Sequence, residues 1–340
     1  MTDTPLLVVG TQRSGTTLLN RILNGHPRIA LLFQQSNFLR LDFAGLHDVD
    51  VPAAVAQARE ADCVYSRRFT DEVERRVVAR LRDDADAASV YRTVIRVLTG
   101  EGNAAYRGEK YAGGCIDALK FLDVAPTGRI VHIIRDPRDV CASEKRRQEG
   151  ENAPTADRPY LLMLHDWCVG LFVGDYLARV VPHRYHRLRY EDLVGSPEET
   201  VRGICAFLGL PFAPSMIEAQ AFVDDDGKPW EANSHFVSGV TALSDFRGRW
   251  REHLPEDEAM FVELFCGAGM AALDYPRELS APWRRLRARR ALAEMAEQTA
   301  ALARKYRNHP AYRPYSPVST SDPIDLTEAS AVYRRDQPGA

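Results

Sequence analysis

Residues 5–10, "PLLVVG", are a short unbroken apolar run ending in glycine, the pattern of a strand buried on both faces. The period then changes. Leu18, Leu19, Ile22 and Leu23 recur at helical spacing, and Asn24-Gly25 with Pro27 just beyond supplies a stop. Residues 28–33, "RIALLF", predict a second strand. Between 48 and 100 the pattern is helical. It is clearest over 70–83, where Thr70 is placed to cap, acids follow, and Val73, Val77, Val78 and Leu81 share a side. Residues 115–147 predict a helix ending near Pro126-Thr127-Gly128, a strand at "RIVHIIR", and a helix opened by Pro137. A long apolar core helix is expected over 160–181, and a strand running into a turn over 185–193. Residues 196–210 predict a helix with Ser196 as N-cap, Glu199 in capping-box position and Gly209 near its stop. Residues 255–275 predict one more helix.

Strands separated by helices predict an α/β fold, a parallel sheet flanked by helices. Ligands on such sheets sit beyond the carboxyl ends of the strands. The loop after residue 10, the end of "RIVHIIR" and the end of "YHRLRY" all belong to that edge. The pattern gives one domain over 1–280 with a helical insertion at about 45–105, then a C-terminal helix and extended tail over 281–340. The basic stretch 283–307 reads as a packing or oligomer helix, which carries the expectation of a homodimer. The last stretch is rich in Pro, Ser, Thr and Asp without periodicity.

Bulk composition narrows the partners. The chain has 340 residues, 45% of them hydrophobic, with a net charge of -3. That balance gives no reason to expect nucleic acid or an anionic membrane as partner. The N-terminus lacks a basic region followed by a long apolar run, and no stretch reads as a membrane span. The six cysteines, Cys63, Cys115, Cys141, Cys168, Cys205 and Cys266, are scattered without a C-x-x-C pair, and reduced, mostly buried thiols in a cytoplasmic protein are expected.

The chemistry concentrates in "GTQRSGTT", residues 10–17. Strand, glycine loop and helix start together make a cradle of backbone N–H groups for an anion. Gly10 and Gly15 have the spacing of a nucleotide-triphosphate loop, but Thr16 stands where that loop carries its lysine, and Arg13 lies inside. No acid after a buried strand offers itself as a magnesium ligand. A metal-free anionic donor is therefore favoured over ATP, with a P-loop small-molecule kinase as a competing reading. Arg135 ends a strand, and Ser143 follows two helical turns into the next helix, near the same edge. An arginine fork with a hydroxyl suits a phosphate dianion. The competing reading of "RDPRD" is an ion-pair cluster.

These residues resemble the PAPS-dependent sulfotransferases, in their bacterial and tyrosylprotein-sulfotransferase-like branch (PAPS is 3′-phosphoadenylyl sulfate). "VGTQRSGTTLL" is similar to the family's 5′-phosphosulfate loop, "IIRDPRDVCAS" to its 3′-phosphate motif, and "RYEDLVGSPEETVRGICAFLGLPF" to a family strand and helix. "GEKYAGG" places Lys110 where members carry a lysine near the transferring group. The order holds over about residues 5–276. The resemblance implies the sulfotransferase fold, PAPS as donor, PAP as product and no metal. It implies that Gln12, Arg13, Ser14, Gly15, Thr16 and Thr17 hold the phosphosulfate, and that Arg135 and Ser143 hold the 3′-phosphate. Tyr190 would approach the nucleotide, Arg247 with Gly248 would close over it, and Ser244 would contact the phosphosulfate. Arg13 and Lys110 would stabilise charge on the leaving phosphate during in-line transfer.

The sequence departs from the family where a general base is expected. After the second strand it carries Gln34 and Gln35, placed to contact the acceptor, and two residues beyond Lys110 it carries Ala112. Asp42, His47, Glu109, His165 and Asp166 are the remaining candidates for proton acceptor. The expected acceptor is a small molecule such as a sugar or secondary metabolite. The alternative is a nucleotide-binding member of the fold without turnover.

Overall fold

A computed structural model describes residues 3–32, 38–40, 55–56, 59, 69–81, 85–100, 102–150, 163–218 and 245–278. Strand β1 (Thr4–Gly10) leads into helix α1 (Thr16–Asn24), and β2 (Ile29–Leu32) follows. Helices α2 (Asp71–Val78) and α3 (Ala87–Thr99) precede β3 (Tyr106–Ala112) and α4 (Asp117–Val124). Then come β4 (Arg129–Ile134), α5 (Pro137–Gly150), α6 (Met163–Val180) and β5 (Tyr185–Arg189). Helices α7 (Tyr190–Gly195), α8 (Pro197–Leu208), α9 (Trp250–His253), α10 (Glu256–Phe265) and α11 (Gly267–Ala272) complete the described chain.

The five strands form one sheet in the order β2-β3-β1-β4-β5, with every pair parallel. The expected α/β architecture is therefore the one observed. Alternation along β1 divides the core. Leu6 and Val8 face a cluster with Leu19, Ile22 and Leu23 of α1 and Val201, Ile204 and Leu208 of α8. Leu7 and Val9 face the other side, with Tyr91 and Val94 of α3, Phe121 of α4 and Leu177 of α6. A third cluster beyond the carboxyl end of β4 joins Ile134 and Cys141 to Trp167, Trp250, Phe261 and Met270.

Local signals explain the element ends in part. Thr70 caps α2, its side chain accepting from the Val73 amide, and Asp86 does the same for α3 through Ser89. Gly25 ends α1 in a right-handed conformation, so its role is closeness: a Cβ there would sit 2.7 Å from the Ser215 carbonyl oxygen. Strand β3, between β2 and β1, has no counterpart in the sequence pattern, and other expectations are corrected. The turn after β5 is the short helix α7. Ser196 makes no side-chain cap to α8, because the same residue closes α7 with its amide on the Asp192 carbonyl, leaving its backbone non-extended at ψ 67°. The single helix over 255–275 is two, broken at Cys266.

Helix α6 buries Met163, Leu164, Trp167, Gly170, Val173, Gly174 and Leu177, while Phe172, Tyr176 and Val180 are exposed. It is a one-sided helix rather than the wholly buried one its composition predicts. No helix among the described residues is long and apolar enough to cross a membrane. The expected C-terminal helix and tail lie outside the described residues.

Candidate functional site

Parallel pairing brings the ends of β1, β3, β4 and β5 to one edge. The loop after β1 is tied there by its own backbone: the Ser14 amide donates to the Thr11 carbonyl, and the Gly113 amide to the Gly10 carbonyl. Gly10 has to be glycine, since a Cβ would stand 2.5 Å from the Ile133 carbonyl oxygen. Gly15 takes a left-handed φ of 92° and Arg13 one of 67°. For a non-glycine residue that conformation is costly and persists only where its surroundings impose it. Gly15 precedes α1 and provides no side-chain cap, so the first-turn amides of α1 face the loop as a positive helix end.

Around this loop the structure gathers residues from distant parts of the chain. Arg13 Nε donates to Ser143 Oγ at 3.1 Å, joining the loop to α5 across 130 positions. Arg135 donates to the Arg13 carbonyl at 3.1 Å and to the Phe246 carbonyl at 2.7 Å. Its guanidinium lies 4.4 Å from the centre of the Tyr190 ring, a cation–π distance. That ring also packs on the loop, for a Cβ on Gly15 would meet it at 2.6 Å. Burial pushes the Tyr190 hydroxyl up, against the pull of the Arg135 charge, so it stays protonated. Lys110, from the end of β3, places Nζ 3.3 Å from Thr17 Oγ1. Gln12 is beside Gly113, where a Cβ would meet its side chain at 3.3 Å.

The donor set fits an anion. Ser14 Oγ and Arg135 Nε are both buried, and neither finds a hydrogen-bond partner among the described residues. Buried donors left unmatched cost about 1–3 kcal/mol each, a cost that a bound phosphate or sulfate oxygen removes. Glu144, next to Ser143, is also buried. Burial raises its carboxyl, but the bonds from Arg147 and the charges of Arg147 and Arg13 outweigh that and hold it below its usual range. A negative charge here keeps the arginines in place.

The acids of "RDPRD" are structural. Asp139 accepts the Gly248 amide at 2.8 Å and the Trp250 amide at 2.9 Å, fixing the turn that carries Phe246. Asp136 binds the Arg138 guanidinium, which also reaches Glu263 at 2.7 Å and covers the Trp250 ring at 4.2 Å. Glu191 accepts the Asp136 amide and the Tyr275 hydroxyl. The Trp167 indole donates to the Arg135 carbonyl at 2.9 Å. The Asp136–Arg138 pair is the ion-pair reading the sequence offers, whereas the contacts to Gly248, Trp250, Glu263 and Tyr275 join residues too far apart along the chain for spacing to show.

Arg247 and Gly248 are placed differently from the loop residues. The Arg247 guanidinium bonds Asp245 at 2.6 Å, and the Gly248 amide is taken by Asp139. Ser244, Gln34, Gln35, Asp42 and His47 lie outside the described residues. Of the other proton-acceptor candidates, Glu109 is fully buried on the sheet face opposite Lys110, beside Tyr91. His165 and Asp166 pair with each other at 3.6 Å in the first turn of α6. Ala112 ends β3 and offers no titratable group.

The chain is similar to known proteins to different extents. A family model described as the sulfotransferase family matches residues 5–214. Carbohydrate sulfotransferase 2 of Homo sapiens is 33% identical over 217 residues, covering 49% of this chain and 40% of that protein. The omega-hydroxy-beta-dihydromenaquinone-9 sulfotransferase Stf3 of Mycobacterium tuberculosis (strain CDC 1551 / Oshkosh) is 36% identical over 102 residues, 26% of this chain and 25% of that protein. The solved sulfotransferase domain from the Synechococcus PCC 7002 olefin synthase covers 78% of this chain and 94% of its own, with a TM-score of 0.52 at 20% identity, a likeness of fold. The chain spans less than half the length of the curated relatives it matches.

Proposed function

The chain belongs to the sulfotransferase family, and we propose that it moves a sulfuryl group from PAPS to a hydroxyl or amine of a small-molecule acceptor, such as a sugar or secondary metabolite. The observation that carries this reading is the meeting of Arg13, Arg135 and Ser143 at the start of α1. When bound, the donor supplies a sulfuryl group on a phosphate leaving group, and PAP remains. In this reading the loop residues Gln12–Thr17 hold the phosphosulfate through backbone amides and the Ser14, Thr16 and Thr17 hydroxyls. Arg135 and Ser143 hold the 3′-phosphate, with Tyr190 beside the nucleotide. Lys110 and Arg13 bring positive charge to the place where negative charge develops on the leaving oxygen, usually the largest catalytic term in such sites. Thr16, in place of the triphosphate-loop lysine, makes ATP with magnesium a poorer match than a phosphosulfate.

Acceptor deprotonation is where this chain differs from its family pattern. Ala112 cannot take a proton, and Gln34 and Gln35 can only orient an acceptor. An amine, that of an amino sugar included, or an acidic phenol, which surrenders its proton to solvent, suits such a site better than an alkyl hydroxyl. The same observation favours a second reading, a PAPS-binding protein without turnover.

Transfer of labelled sulfate from PAPS to a panel of amines, phenols, sugars and alcohols tests the proposal. Product is expected with phenol or amine acceptors, and Lys110→Ala should lower kcat more than it raises the KM for PAPS. Tight PAP binding with no transfer to any acceptor would establish the second reading instead.

A further inference from the structure

Away from the donor loop, two thiols face each other. Cys168 Sγ of α6 lies 3.8 Å from Cys266 Sγ at the break between α10 and α11, across 98 positions of sequence. We infer that Cys168 and Cys266 form a reversible dithiol–disulfide site, with Cys168 as the thiol that reacts first and Cys266 as the one that resolves it.

Three observations assign the roles. Among the described cysteines, Cys168 is the half-buried one, while Cys115, Cys141, Cys205 and Cys266 are buried. The hydrogen bond from Cys266 and the charge of His165, three residues away on an exposed side chain, favour the Cys168 thiolate against the cost of its partial burial. Cys266 is held protonated by its contact with Cys168 and by burial. The other described thiols are spoken for or sealed. Cys205 donates to the Met216 sulfur at 3.6 Å, Cys115 sits 3.7 Å from His132, and Cys141 is fully buried, which raises it well above the ordinary thiol range.

A low-molecular-weight disulfide such as oxidised glutathione suffices as oxidant. The Cys168 thiolate attacks one of its sulfurs, forming a mixed disulfide and releasing one small thiolate. Cys266 then loses its proton to solvent and attacks the Cys168 sulfur, closing the protein disulfide and releasing the second small thiol. Two protein thiols are oxidised, and one small disulfide is reduced to two thiols. The sulfurs have to close from 3.8 Å to about 2.05 Å. The α10–α11 junction is where the helix is already broken, so it can yield. The bond joins two supports of the 135–139 turn: α6, whose Trp167 holds the Arg135 carbonyl, and α10, whose Glu263 holds Arg138.

The full chain is equilibrated in glutathione buffers of rising potential, quenched by alkylation, digested and mapped by mass spectrometry. A linked Cys168–Cys266 peptide is expected, reversed by dithiothreitol, together with a higher Tm for the oxidised form because a long loop is closed. Cys266→Ser should stop at the glutathione adduct on Cys168, and Cys168→Ser should leave Cys266 unmodified. A stable adduct on Cys168 in the unaltered chain, or a linked pair involving another cysteine, would overturn the assignment.

Discussion

Arg135 and Arg138 stand three residues apart in "RDPRD" and do opposite work. Arg135 spends its bonds on two carbonyls, those of Arg13 and Phe246, and keeps Nε in reserve beside the loop. Arg138 is consumed internally by Asp136, Glu263 and the Trp250 ring. Sequence alone leaves open whether these residues bind an anion or pair among themselves; in the structure Arg138 is wholly taken up in pairing, while Arg135 lies 3.9 Å from Asp139 and still turns to the loop. Removing one partner of a buried ion pair leaves an uncompensated charge. Arg138→Ala is therefore expected to cost about 3–5 kcal/mol of folding stability, read by urea denaturation. A loss below about 1 kcal/mol would mean that the cluster is screened by water and contributes as a surface pair does.

At the scale of elements, four of the five strands were legible because apolar runs such as "PLLVVG" and "RIVHII" admit little else between helical segments, whereas β3, "YRGEKYA", was not, because charged residues and a glycine interrupt it. Helix ends were less so. Thr70 caps as its residue type predicts, while Ser196 does not, because a cap depends on the backbone angle with which the chain enters the helix. The break at Cys266, where the backbone turns to φ -96° and ψ 2°, was missed because apolar periodicity continues across it, although Gly267 and Gly269 follow directly. Gly108 is a further case, an interior strand glycine with no turn to explain it. A Cβ on Gly108 would run into the Leu6 carbonyl oxygen, so β1 and β3 leave no room for a side chain at that point. Gly108→Ala has to separate the two strands that position the loop and Lys110. It is expected to exceed the usual 1–3 kcal/mol or so of an overpacked core site, with loss of soluble folded protein as the readout. A well-folded variant with unchanged Tm would show that the backbone absorbs the methyl.

At the scale of the whole molecule, the gathering of the loop residues at one sheet edge was readable, and the acceptor side was not. Arg13, Arg135, Ser143 and Tyr190 follow strands whose ends a parallel sheet sends to one edge, so the pattern along the chain sufficed to bring them together. Lys110 sits on β3, which the pattern does not mark as a strand, and only the family resemblance pointed to it. An acceptor pocket has no such rule, because loops of free length and composition build it. Donor binding can therefore be tested without knowing the acceptor. A ligand that binds only the folded chain stabilises it by about 2.7 kcal/mol when present at a hundred times its Kd. PAP should raise the Tm accordingly, and ATP with magnesium should raise it far less, since Thr16 supplies no charge to a terminal phosphate. Arg135→Lys keeps the charge but loses the planar fork that serves the Arg13 and Phe246 carbonyls together. It should weaken PAP binding by roughly tenfold or more, about the value of one charge-assisted hydrogen bond. A variant with native PAP affinity would move the 3′-phosphate away from Arg135, and an equal Tm shift with ATP-magnesium would favour the kinase reading of the loop.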